Sequence, residues 1–134
     1  MKESLAPGLK ATRRIAVDAG RAISFMGEDA RVYATPHMVS DMEYTCRDAL
    51  RPHLDAGEDS VGARVEIDHL GPTPLGAWVD IAVTLAEVKG RRATFDFTAR
   101  DGAEEVGRGR HVRFIVDTAR TLERVRAKAK ALKT

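Results

Sequence analysis

The sequence predicts an α+β fold: one long helix laid against an antiparallel sheet, with a further helix at the C-terminal end. Three observations predict it. Thr35-Pro36 is a helix-start pair, and apolar residues follow it at helical spacing. From Val61 to about Val116 the pattern changes to period two, in separate blocks. The breaks at Lys89-Gly90 and Asp101-Gly102 are hairpin-type turns. Strands that follow a helix and are joined by hairpins argue for an antiparallel sheet.

Each element follows in order. Residues 1–8 carry Pro7 and Gly8 and read as a loose end. Residues 9–17 read as a first strand, although their alternation is poor. Residues 18–34, with Gly20 and Gly27, read as a loop or short helical lid. Thr35 is expected to cap the helix, with Pro36 at its first position. The helix should run to about Leu50 and stop before Pro52. Its apolar side carries Met38, Val39, Met42, Thr45, Cys46, Ala49 and Leu50. Its polar side carries Ser40, Asp41, Arg47, Asp48 and Arg51.

Residues 55–59 form a turn. In the next strand Val61, Ala63, Val65, Ile67 and His69 are expected to share one face. Gly71-Pro72-Thr73-Pro74 ends that strand. Val79, Ile81, Val83 and Leu85 mark a long strand. Ala93, Phe95, Phe97 and Ala99 alternate with Thr94, Asp96 and Thr98 in the next one. The last strand runs from about Glu104 to Val116. Residues 118–133 form a basic helix with a thin stripe of Leu122, Val125, Ala129 and Leu132.

The 134 residues fit one domain, 1–134, with one modest core. A formal net charge of +2 makes no case for binding nucleic acid or a membrane. The one cysteine, Cys46, cannot form an internal disulfide, which agrees with a reducing compartment. The N-terminus lacks the apolar core of a secretory signal. A cytoplasmic protein is the expectation. The four histidines have no zinc-type spacing, so no metal is expected.

Three residues carry chemical interest. Glu43 lies four after Val39, three before Cys46 and seven before Leu50, so it flanks the apolar side of the helix. A carboxylate there loses hydration, as acids at active sites often do. The competing reading is a glutamate that snorkels from the edge of the core. His69 keeps the inward phase of its strand and ends it beside a loop, where chemistry is often placed. The competing reading is a structural histidine. Thr35 alone is simply a helix cap. Eight residues separate it from Glu43, about 12 Å along a helix at ~1.5 Å per residue. A triad of the three therefore needs two subunits, Thr35 from one and Glu43 with His69 from the other, or a curled-in helix start. A sheet covered by one long helix also leaves an edge for a second copy, so a homodimer is expected.

The sequence resembles the fluoroacetyl-CoA thioesterase family of hot-dog proteins over about residues 32–117. Val32-Tyr33-Ala34-Thr35, Met38-Val39 and Met42-Glu43 resemble its start-of-helix motif. Gly57-Glu58, Ser60 through His69, and Thr73-Pro74 resemble its next block. Gly90-Arg91-Arg92, Asp101-Gly102 and Glu105 to Gly109, with His111 and Arg113, resemble the remainder. The resemblance implies a hot-dog fold, with the sheet wrapped around the long helix. It implies catalytic roles for Thr35, Glu43 and His69, and substrate-binding roles for Gly62 and Arg113. The chain departs from the family in the lid, where Phe25-Met26-Gly27-Glu28-Asp29-Ala30 stands in place of pocket-shaping phenylalanines.

The implied activity is hydrolysis of a short-chain acyl-CoA thioester. CoA enters only as part of the substrate, and no cofactor is expected. Glu43 would activate water or attack the carbonyl, His69 would act as acid or base, and Thr35 would hydrogen-bond the reacting group. Attack by the threonine hydroxyl is the less favoured role. The N–H groups of His37 or Met38 would stabilise the oxyanion. Arg113 is a candidate for the CoA phosphates; Arg120, Arg124 and Lys128 of the last helix could also meet them, but a solvated face is the favoured reading for those three. The rival reading is a non-catalytic acyl-CoA-binding protein of the same fold. Gly107 and Gly109 within a strand suggest close backbone approach.

Overall fold

A computed structural model describes residues 1–133. The strands are β1 (Lys10–Ala16), β2 (Glu58–His69), β3 (Trp78–Lys89), β4 (Arg92–Arg100) and β5 (Glu105–Asp117). The helices are α1 (Thr35–Leu50) and α2 (Thr118–Ala131). Short helical turns at Ala19–Arg21 and Glu28–Ala30 occupy the segment read as a loop or lid. The strands form one sheet in the order β1-β3-β4-β5-β2, and every neighbouring pair is antiparallel. β1 and β2 are therefore the edges.

α1 packs through every fourth residue. Met38, Met42, Cys46 and Leu50 are fully buried, with Val79, Ile81, Val83 and Leu85 of β3 and Phe95 and Phe97 of β4 in the same core. Each such side chain contributes on the order of 2 kcal/mol of hydrophobic free energy. Gly107 leaves the space this packing uses, since a Cβ there would lie 2.6 Å from Met38 Sδ. A Cβ on Gly109 would collide with the Glu66 backbone. The close approach expected of both glycines is present.

Three local expectations fail. First, β2 does not keep one phase. Its pairing with β5 shifts between Gly62 and Arg64, which leaves Ala63 as the extra residue of a bulge. Before the bulge Ser60 and Gly62 face α1; after it Val65, Ile67 and His69 do. Val61 opposes the exposed Phe114 and is itself exposed. Second, Asp41 is buried on α1, not exposed on its polar side. Third, Asp101-Gly102 is no two-residue turn. Asp101 Oδ1 accepts the N–H groups of Ala103 and Glu104, which holds a longer loop. The tight hairpin is Gly90-Arg91, with Gly90 at φ +60°.

α2 is capped by Asp117, whose side chain accepts the Arg120 N–H at 3.1 Å. No residue of α2 is buried, so its leucine and valine stripe is uncovered. No helix among the described residues is long and apolar enough to cross a membrane.

Candidate active site

The start of α1 frees its threonine. Ala34, not Thr35, holds the cap position, and no side chain caps the helix. The Ala34 carbonyl accepts from both His37 and Met38, so the two N–H groups expected to meet an oxyanion are already used. Pro36 has none to offer. The Thr35 N–H has no protein acceptor among the described residues. The Thr35 hydroxyl turns instead to β2, where Oγ1 and His69 Nδ1 share a hydrogen bond of 2.7 Å.

A buried network fixes this arrangement. The Asp41 carboxylate accepts from the Tyr33 hydroxyl and from Arg21 Nε (2.9 Å) and Nη2 (3.1 Å). Tyr33, two residues before Thr35, also bonds through its N–H to Thr73 O. Its ring stands edge-on to His69, with centroids 6.4 Å apart. Burial and the Asp41 charge hold the Tyr33 phenol far above its ordinary pKa, so it stays a donor.

His69 is held in the opposite sense. Burial lowers its pKa from the ordinary 6.5, and the Gly71 backbone opposes this only in part. The ring is therefore neutral at pH 7 and able to accept a proton. Its Nε2 is buried and has no hydrogen-bond partner among the described residues. Ile23, Phe25, Val32, Leu70 and Pro72 surround the pair with an apolar hollow of about 380 Å³.

Glu43 lies elsewhere. Its Oε2 is 3.6 Å from Arg113 Nη1 and 4.0 Å from His111 Nε2. Gly62 makes room for it, because a Cβ there would lie 2.7 Å from Glu43 Oε2 and 3.3 Å from His111 Cε1. Arg113 is buried; Nε donates to Ser60 Oγ and Nη2 to Ser60 O, each at 2.8 Å. Its guanidinium therefore faces Glu43 and the strand, and Arg113 also lines the open groove beside Glu43. The Glu43 side chain remains 36% exposed and lines an open groove of about 610 Å³ with Pro36, Val39 and Tyr44.

One protomer thus joins Thr35 to His69, and Glu43 to Gly62 and Arg113, as two separate half-sites. Gly62 and His69 are six regular strand steps apart on β2 once the bulged Ala63 is left out, about 20 Å at ~3.3 Å per residue. The expected pairing of Glu43 with His69 inside one chain is incorrect; Thr35 is the residue His69 meets. Sequence reading also assigned no role to Tyr33, Asp41, Ser60 or His111. The spacing His111-x-Arg113 on one face of a strand was the available signal for the last. Among the described residues, no cluster of three His, Cys, Asp or Glu side chains is arranged to hold a metal ion.

An antiparallel sheet wrapped on one long helix, with a hydroxyl–imidazole pair at the helix start, defines a hot-dog thioesterase-type protein. The chain belongs to the fluoroacetyl-CoA-specific thioesterase family (FlK), whose family model matches residues 17–119. It is 31% identical over 138 residues to the fluoroacetyl-CoA thioesterase of Streptantibioticus cattleyicolor, covering 98% of this chain and 99% of that protein. A crystal structure of the fluoroacetyl-CoA thioesterase FlK superimposes with a TM-score of 0.86 at 29% identity, over 94% of this chain and 98% of that one. A thioesterase superfamily member from Thermus thermophilus superimposes with a TM-score of 0.89 at 25% identity, over 98% of both chains.

Proposed function

We propose that the protein hydrolyses short acyl-CoA thioesters as a homodimer, with Thr35 and His69 of one subunit and Glu43 of the partner subunit forming each site. The buried, partnerless Nε2 of His69 carries this reading. With Nδ1 accepting from the Thr35 hydroxyl, the neutral ring holds its proton on Nε2. That N–H needs an acceptor, and the chain's own Glu43 belongs to the other half-site.

The sheet offers the missing half. β2 is a twelve-residue edge strand with Val61 and Val65 exposed. Such an edge pairs readily with a second copy. In an antiparallel twofold pairing centred on Glu66, with the bulged Ala63 left out of the count, His69 of one strand lies opposite Gly62 of the other. Both residues face the helix side, and Gly62 is where Glu43 rests.

In the proposed reaction the Thr35 oxygen attacks the thioester carbonyl carbon while His69 Nδ1 takes its proton. The carboxylate stabilises the resulting imidazolium through Nε2–H. Collapse expels the CoA thiolate, which takes the proton from His69. Water then attacks the acyl-threonine, giving its proton to His69, and the acid leaves as Thr35 regains a hydrogen. The Thr35 N–H, at the positive end of α1, is the available oxyanion donor. The 2.7 Å contact with His69 thus raises threonine attack above the role expected from sequence.

The apolar hollow beside Thr35 suits an uncharged acyl group. Phe25, at its rim, is 80% exposed and does not close over it. The one-domain reading of 1–134 and a cytoplasmic location accord with the single sheet and with Cys46 buried as a free thiol. Release of CoA from acetyl- to hexanoyl-CoA, followed with a thiol-reactive dye, tests the proposal. Thr35→Ala, Glu43→Gln and His69→Asn should each lower kcat by at least about a hundredfold. Near-normal turnover in any of the three removes that residue from the mechanism.

A further inference from the structure

His111 is fully buried in β5, and the reaction above makes no use of it. Both ring nitrogens have partners of fixed character. Nδ1 lies 2.8 Å from the Arg64 carbonyl, which can only accept. Nε2 lies 3.1 Å from Arg113 Nη1, which can only donate. One state satisfies both: a neutral imidazole with its proton on Nδ1 and a lone pair on Nε2.

That lone pair completes the seating of Arg113. The guanidinium gives Nε to Ser60 Oγ, Nη2 to Ser60 O and Nη1 to His111. The same Nη1 is the Arg113 nitrogen 3.6 Å from Glu43. We propose that His111 is a positioning residue: as a neutral acceptor it aims Arg113 Nη1 at Glu43 and so sets where that carboxylate stands. The proposal rests on the reading of Glu43 as the acid of the site.

The surroundings keep the ring in this state. Glu43, Cys46 and Arg47 of α1, Asp59 of β2 and Arg113 of β5 are the titratable groups acting on this cluster. Burial lowers the His111 pKa and Arg113 lowers it further, while the hydrogen bond to the Arg64 carbonyl and the Glu43 charge oppose them, with a net lowering. Burial pushes the Cys46 thiol up to about 12, so it stays uncharged. The bulge in β2 supplies the other half of the device, because it is Arg64, the residue after the irregularity, whose carbonyl turns to Nδ1.

The test combines a measurement on the unaltered protein with two variants. Two-bond proton–nitrogen correlations on the unaltered 134-residue chain should show His111 neutral and protonated at Nδ1 from about pH 6 to pH 8. A charged ring, or one protonated at Nε2, overturns the proposal. His111→Phe keeps the ring and deletes both nitrogens; kcat should fall at least about tenfold with KM within about twofold. His111→Gln, whose amide can donate to Arg64 O and accept from Arg113, should recover most of that loss. Equal loss in both variants, or normal kcat in His111→Phe, overturns it as well. Glu43→Gln run alongside separates the failures: if that variant turns over normally, the reading of Glu43 has failed rather than the role of His111.

Discussion

Mixing two dead variants provides the most demanding test of the split site. Thr35→Ala lacks the attacking hydroxyl, and Glu43→Ala lacks the acid. Thr35 and Glu43 stand eight residues apart on α1, about 12 Å at ~1.5 Å per residue, too far for their side chains to meet within one protomer. In a mixed dimer, one site has lost both groups. The other joins Thr35 and His69 of the Glu43→Ala subunit to the intact Glu43 of its partner. Random reassociation at equal amounts makes half of the dimers mixed, each with one working site of two, so about a quarter of unaltered activity should return. The subunits are exchanged by mild denaturation and refolding, and CoA release is then followed by absorbance. Each variant refolded alone is the control. Activity that stays at the level of those controls, with mixed dimers shown by mass spectrometry, refutes assembly across the twofold axis.

Further outcomes follow from the same geometry. Gly62→Ala puts a methyl 2.7 Å from Glu43 Oε2, and the carboxylate is the part that must move; kcat should fall at least about tenfold while Tm changes by only a few degrees. Leu50→Ala deletes a fully buried side chain at the foot of α1 and should cost about 2–5 kcal/mol in urea unfolding, with kcat at low temperature little changed. Burial places the pKa of both His69 and His111 below the ordinary 6.5. The unfolded chain then binds more protons than the folded one as pH falls below about 6.5, so stability is full above that value and declines beneath it. kcat/KM should hold through neutral pH and drop on the acid side below 6.5; an acid limb at or above that value contradicts the burial argument.

Much of the fold was legible because its signals are local. Pro36 and the fourfold spacing of Met38, Met42, Cys46 and Leu50 specify a helix and its buried side. Alternation in Ala93, Phe95, Phe97 and Ala99 specifies a strand and its core face. The site was legible only as residue types. Thr35 read as a cap because Thr-Pro suits a helix start, but the hydroxyl found an imidazole 2.7 Å away and Ala34 took the cap position. Asp41 read as a surface acid because nothing in its neighbourhood along the chain shows that Tyr33 and Arg21 fold over it. Val61 read as inward because strict alternation cannot register one extra residue at Ala63.

The sequence by itself determined the helix, the strands, the tight Gly90 turn and the identities of the reactive side chains. Each of these depends on torsion preferences and on periodicity within a short stretch of chain. Tertiary structure decided that Thr35 meets His69, that Gly62 opens a seat for Glu43, and that His111 and Arg113 lie beneath it. Those contacts join residues 19 to 70 positions apart, and a bulge in one strand decides which of them face each other. Short-range pattern carries no record of such a shift, because it arises only when β2 lies down against β5.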